Sequence, residues 1–129
     1  MYRIAVDLMG SDDAPKSELE GITSALELHP NLEVIGFGSK EAIEKMGVTH
    51  ERLTYVYTTD VILGTDVAAT AYRAKKDASM IRAIQAVKEG SADAIVSSGN
   101  TGAYITSALF MLGRIKGIKR PALATLFPT

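Results

Sequence analysis

The sequence predicts an α/β fold: a parallel, or mostly parallel, sheet with helices on both faces. Short apolar runs recur along the chain, each too brief for a helix and each closed by Gly, Ser, Thr or Asp. Longer stretches between them carry apolar residues at three- and four-residue spacing, as an amphipathic helix does. The two kinds of segment alternate about four times and a further strand then begins, the pattern of successive βαβ units.

Ile4-Ala5-Val6 makes the first strand, with Asp7 at its carboxyl end. The turn from Leu8 to Pro15 leads into a helix that Asp12 or Asp13 can cap, with Pro15 in the first turn, where a missing N–H costs nothing. Leu19, Ile22 and Leu26 give that helix one buried face, and His29-Pro30-Asn31 ends it. Leu32 to Phe37 is the second strand, closed by Gly38. Ser39 caps a short helix to about Met46, which has Glu41 in its first turn and stops at Gly47. Leu53 to Tyr57 alternates apolar and polar residues and forms the third strand; residues 58–66 read as loop. Ala68 to Lys76 has helical composition, with Thr65 or Asp66 available as its cap. Asp77 starts or restarts a helix carrying Met80, Ile84 and Val87 on one face and ending at Gly90. Ala94-Ile95-Val96 reads as a buried strand, and the helix after it, Thr101 to Leu112, is apolar on most sides and expected to be buried. Gly113 and Gly117 bracket a basic exit, and Arg120 to Thr129 reads as a strand that has just begun. Residues 1–129 are therefore expected to form a single α/β domain, or part of one, within a larger protein.

Composition excludes several chemistries. The formal charge of −1 gives no support for a nucleic-acid partner, which calls for a strongly basic face. With no cysteine there is no thiolate nucleophile, disulfide or cysteine-ligated zinc. His29 and His50 lie far apart in the sequence and suggest no metal site. The longest apolar stretch, Ala103 to Leu112, is about half of a bilayer span and no signal peptide is visible, so a cytoplasmic protein is expected.

In a parallel sheet, ligands bind at the carboxyl ends of the strands, near the point where strand order reverses. Four polar or glycine-rich groups fall at such ends: Asp7 with Gly10, Ser11 and Asp12; Gly36 with Gly38 and Ser39; Thr58, Thr59 and Asp60; and Ser97 to Gly102. In the last group a strand feeds through a Ser/Gly/Asn/Thr turn into a helix. That leaves backbone N–H groups without intrahelical partners at the positive end of the helix dipole, a setting for an anion such as phosphate. Asn100 or Thr101 can cap the helix, and Gly99 and Gly102 permit close backbone approach. The same residues also make an ordinary strand-to-helix turn, and both readings stand. The spacing is neither that of a Walker A loop nor that of a dinucleotide fingerprint.

Asp7, Asp12 and Asp13 can act as metal ligands or an acid–base pair, although Asp12 and Asp13 are equally helix caps. Asp7 ends an apolar strand and needs partners. Arg73, Lys75 and Lys76 form a basic cluster that is either an arm toward phosphate or a solvated helix face; Arg114, Lys116, Lys119 and Arg120 form a second with the same two readings. No Ser/His/Asp set is present, so any chemistry runs by positioning and electrostatics.

Four stretches in register resemble the PlsX family of phosphate acyltransferases: Ile4 to Pro15, Arg73 to Met80, Val96 to Ala103, and Gly113 to Ala122. The resemblance implies a bacterial cytosolic enzyme, peripherally associated with the membrane, that moves a long-chain acyl group from acyl carrier protein to inorganic phosphate. The acyl phosphate formed would serve phospholipid synthesis. It also implies an α/β/α sandwich similar to phosphotransacetylases and isocitrate-dehydrogenase-like enzymes, usually a homodimer, with no metal or organic cofactor. On this resemblance phosphate is held by Ser98, Gly99, Asn100, Thr101 and Gly102, helped by Gly10, Ser11 and Asp12 and by Lys75 or Lys76. Asn100, Lys76 and Asp7 are the implied catalytic residues. Phosphate oxygen would attack the thioester carbonyl while backbone N–H groups offset the oxyanion charge. A non-catalytic phosphate-binding module and a phosphotransacetylase-type enzyme using acyl-CoA are the competing readings.

The chain departs from the family pattern at four positions. Ser11 replaces a usual second glycine, Asp13 a frequent histidine, Ala68 a usual proline and Ala74 a common second arginine. Ser11 adds a side chain and Asp13 a negative charge beside a turn expected to approach an anion, which weakens phosphate binding unless Asp13 points away. Family members are also much longer, so the remaining strands and the dimer surface are expected elsewhere.

Overall fold

The structure, a computed structural model, describes residues 1–118. The strand expected from Arg120, together with Lys119 and Arg120 of the second basic cluster, lies outside the described residues. Nine elements follow in order: β1 (Tyr2–Asp7), α1 (Lys16–Leu28), β2 (Leu32–Gly38), α2 (Lys40–Met46), β3 (Leu53–Tyr57), α3 (Ala68–Ala74), α4 (Ser79–Glu89), β4 (Ala94–Val96) and α5 (Thr101–Leu112). All strand pairs are parallel, and the sheet order is β3-β2-β1-β4. The register sets Val6 between Gly36 and Val96.

Alternation along the strands separates two apolar layers. Val6, Val34 and Leu53 face one side, where Leu19, Ile22 and Leu26 of α1 and Ile43 of α2 cover them. Ala5 and Phe37 face the other, against Ala83 and Ala86 of α4. Burying each large side chain of the α1 stripe is worth about 1.5–3 kcal/mol, enough to hold that helix on the sheet. A further cluster joins α3, α4 and α5 through Ala71, Met80, Ile81, Ile84 and Ala103, and the Tyr72 ring stacks on Phe110 at 5.2 Å. Helices thus cover both faces, as the alternation predicts.

Several local expectations are corrected. Helix α1 begins at Lys16, and neither Asp12 nor Asp13 caps it. Asp13 instead accepts the Ser17 hydroxyl at 2.7 Å, and the Ser11 hydroxyl lies 3.1 Å away; these bonds hold its pKa below the ordinary carboxylate value. No side chain caps α3 either: Asp66 accepts the Leu63 N–H and pairs with Lys75. Asp77 lies outside α4, whose first residue is Ser79. Among the described residues strand β4 pairs with β1 alone and Val96 is 55% exposed, so β4 is not the buried strand expected. Helix α5 buries only Ala103 and Ser107 and leaves Phe110 and Leu112 exposed, since it contacts α3 and α4 along one side. By contrast Ser39 caps α2, accepting the Ala42 N–H at 3.3 Å, and Gly47 ends that helix at φ 64° in the left-handed region.

Candidate functional site

Strand order points to a candidate site. The chain runs outward from β1 through β2 to β3, then crosses back to lay β4 on the other side of β1. The winding therefore reverses between β1 and β4. Helix α1 leaves on one face of the sheet and α5 on the other, which opens a crevice at the carboxyl ends of these two strands.

Two turns meet there, backbone to backbone. A Cβ on Gly10 would stand 2.5 Å from the Gly99 nitrogen and 2.9 Å from the Ser98 carbonyl carbon, so only glycine fits. Asp7 anchors the same place and is 2% exposed. Its Oδ1 accepts the Met9 N–H at 3.0 Å and the Ser79 hydroxyl at 2.5 Å, and its Oδ2 accepts the Ser97 hydroxyl at 2.8 Å. Ser97 Oγ accepts the Gly99 N–H at 3.1 Å in turn. A buried carboxylate is costly unless its oxygens are satisfied, and here three segments of the chain satisfy it. The Tyr104 hydroxyl donates to the Ile95 carbonyl at 3.0 Å; burial, and then the Asp7 charge, push its pKa above the ordinary phenol value.

Glu18, from the first turn of α1, bridges the same two turns. Its Oε2 accepts the Ser11 N–H at 3.1 Å and the Ser98 hydroxyl at 3.3 Å, and its Oε1 accepts the Ser11 hydroxyl at 2.8 Å. Donors from segments far apart in sequence converge on one anionic group.

Asn100 is the N-cap of α5: Oδ1 accepts the Ala103 N–H at 3.1 Å, and Nδ2 donates to the Leu63 carbonyl at 3.2 Å. The Thr101 and Gly102 N–H groups lie in the first helical turn, where the helix itself offers no acceptor. Gly102 also allows α5 to approach α3, since a Cβ there would lie 3.2 Å from that of Ala68.

Lys75 takes another role. Its ammonium donates to the Val61 carbonyl and to Asp66, both at 2.8 Å, and so closes the 61–66 loop whose Leu63 carbonyl receives Asn100. Lys76 is exposed between α3 and α4, and Asp12 is exposed in the β1–α1 turn. The structure thus brings together Asp7, Gly10, Ser11, Ser98 and Gly99, with Asn100 and Lys75 joined through the 61–66 loop. Among the described residues no hydrogen bond runs from Lys75 or Lys76 to either turn.

Glu18 and Ser79 are contributors that sequence reading passes over. The one local signal for Glu18 is an acidic residue in the first turn of a helix; Ser79 has none beyond its place opening α4. From Glu18 and Ser98 an apolar groove of about 490 Å³ extends between α1 and the strands, lined by Val6, Ile22, Val34 and Val96. Among the described residues no three His, Asp or Glu side chains cluster to hold a metal ion.

Residues 2–129 match the family described as fatty acid synthesis protein. A phosphate acyltransferase of Lysinibacillus sphaericus is 53% identical over 98% of this chain and 38% of its own length. Its namesakes in Shouchella clausii and Streptococcus pyogenes serotype M5 are 49% and 45% identical over 98% and 100% of the chain. The chain spans 38–39% of the length of these relatives. The sequence matches place this chain in the fatty acid synthesis protein family, the PlsX family of the four motifs.

Proposed function

We propose that the crevice between β1 and β4 is the phosphate site of an acyltransferase that moves a long-chain acyl group from acyl carrier protein to inorganic phosphate. The observation that carries this reading is the convergence of the Ser11 N–H and the Ser11 and Ser98 hydroxyls on one carboxylate. An oxyanion already sits among these donors, and the N-terminus of α5 beside them favours negative charge. The names of the relatives support the reaction class, and the apolar groove leading from Ser98 supports an acyl substrate.

On this reading a phosphate oxygen attacks the thioester carbonyl carbon, the C–S bond breaks, and the thiolate leaves with the proton that the phosphate releases. Backbone N–H groups of the Ser98–Gly102 turn offset charge on the tetrahedral oxygen. Asn100 sets that turn and is the side chain assigned to the reacting groups; Lys76 is the cation assigned to incoming phosphate. Lys75 acts through the 61–66 loop, and Asp7 is a positioning residue. No cofactor enters the scheme. A homodimer, working in the cytoplasm and touching the membrane peripherally, completes the proposal; among the described residues no helix is long and apolar enough to cross a membrane.

The test is acyl-phosphate formation from long-chain acyl carrier protein and phosphate, using the 129-residue chain and a form extended to the length of its relatives. Turnover is expected in the extended form and should fall at least about tenfold in Asn100→Ala, which removes the cap that sets the turn and its tie to the Leu63 carbonyl. Phosphate bound without turnover in either form would make the chain a binding module. Turnover confined to short acyl-CoA would make it a phosphotransacetylase-type enzyme.

A further inference from the structure

We infer that Glu18 makes the crevice select an anion that carries a proton, such as phosphate, over one that carries none, such as sulfate. The inference rests on the phosphate reading and adds to it the basis of anion choice. Glu18 Oε2 is within hydrogen-bond distance of the Ser11 N–H and the Ser98 hydroxyl, and Oε1 of the Ser11 hydroxyl. An anion that reaches these donors meets the carboxylate at contact range. Asp13, whose Oδ1 lies 3.1 Å from Ser11 Oγ, adds charge of the same sign.

A carboxylate only accepts hydrogen bonds. Near neutral pH inorganic phosphate keeps at least one proton, so a P–O–H can donate to Glu18 and replace repulsion with a short, charge-assisted bond. Sulfate has no proton to give. Its oxygens would face the Glu18 charge across a hydrogen-bond distance, with the Asp13 charge on the far side of Ser11, and rejection by an unpaired like charge is how a site discriminates between isosteric ligands. The Ser11 and Ser98 donors alone bind either anion; Glu18 supplies the difference.

The experiment is calorimetric titration of the full 129-residue chain with sodium phosphate and with sodium sulfate. Wild type is expected to bind phosphate at least about tenfold more tightly than sulfate. In Glu18→Gln the side chain keeps an acceptor for Ser11, loses its charge and gains a donor, so the ratio should collapse toward one through tighter sulfate binding. Glu18→Asp, which keeps the charge, should retain the preference, and Ser98→Ala should weaken both anions with the ratio preserved. A merely structural role for Glu18 would not move this ratio. Phosphate bound with the same ratio in wild type and Glu18→Gln, or equal ratios in Glu18→Gln and Glu18→Asp, would overturn the inference and leave the phosphate site standing. No phosphate bound by wild type would overturn the site and the role of Glu18 together.

Discussion

The turns that leave β1 and β2 stand side by side at one end of the sheet, and they are built in opposite ways. After β2, Ser39 caps α2 with its own hydroxyl, and Gly47 closes that helix about two turns later. Its polar side chain is satisfied within three residues. After β1, helix α1 receives no side-chain cap, although Asp7, Ser11, Asp12 and Asp13 all precede it. Asp7 bonds to Ser79 and Ser97, 72 and 90 positions along the chain, and Ser11 shares the Glu18 carboxylate with Ser98. A turn that meets its own needs is structural. The turn after β1, which leaves its helix uncapped and directs its polar groups at the distant β4–α5 turn, is half of the candidate site.

Four perturbations break or sharpen that contrast. Gly10→Ala should be the most severe, because its Cβ would overlap the Gly99 backbone and force the two turns apart. We expect a loss of about 3 kcal/mol in urea unfolding and abolition of phosphate binding, the scale of overpacking against backbone that cannot give. Unchanged stability would show that the two turns move independently. Asp7→Asn comes next: one of its two acceptor sites becomes an NH₂ facing a donor, at a cost of about 2 kcal/mol. Ser39→Ala should lose only about 1 kcal/mol, a cap and no more, with anion titrations unchanged. Any effect on phosphate binding would erase the distinction between the two turns.

The smallest effect concerns the turn after β3, an intermediate case. Asp77 accepts the N–H and hydroxyl of Thr59, 18 positions back, and pairs with Arg82; Thr59 and then Arg82 hold its pKa below the ordinary carboxylate value. A folded pKa below the unfolded one stabilises the fold above about pH 4, and that contribution disappears as pH falls through the folded pKa. The difference in Tm between wild type and Asp77→Asn should therefore narrow on acidification below pH 4. It should also be small at neutral pH, because the Asp77 side chain is 39% exposed and solvent screens it. A gap that widens in acid would contradict this assignment.

Periodicity made most of the fold legible. The stripe Leu19, Ile22, Leu26 and the short runs around Val6, Val34 and Tyr55 each announce their element, because helix and strand periods are local properties. Burial was less legible. Val96 and Phe110 look like core residues in sequence yet are 55% and 59% exposed, since exposure depends on which elements lie alongside and apolar character does not report that. Caps were legible where the acceptor is adjacent, as at Ser39 and Asn100, and misread where the carboxylate has a better partner, as Asp66 has in Lys75. In the candidate site the glycines and serines of both turns stood out by composition. Glu18 and Ser79 did not, because their roles arise from contacts across 80 and 72 positions that only the reversal of winding between β1 and β4 brings together.

The seating of Gly10 on Gly99 also has a kinetic side. The Gly99 N–H is covered by the opposite turn and bonded to Ser97 Oγ, so it reaches solvent hydrogen only when the two turns part. The same parting loosens the Ser97 hydroxyl from Asp7. Deuterium uptake at this single amide is therefore a clock for the breathing of the crevice, and a molecule that bridges both turns would slow it.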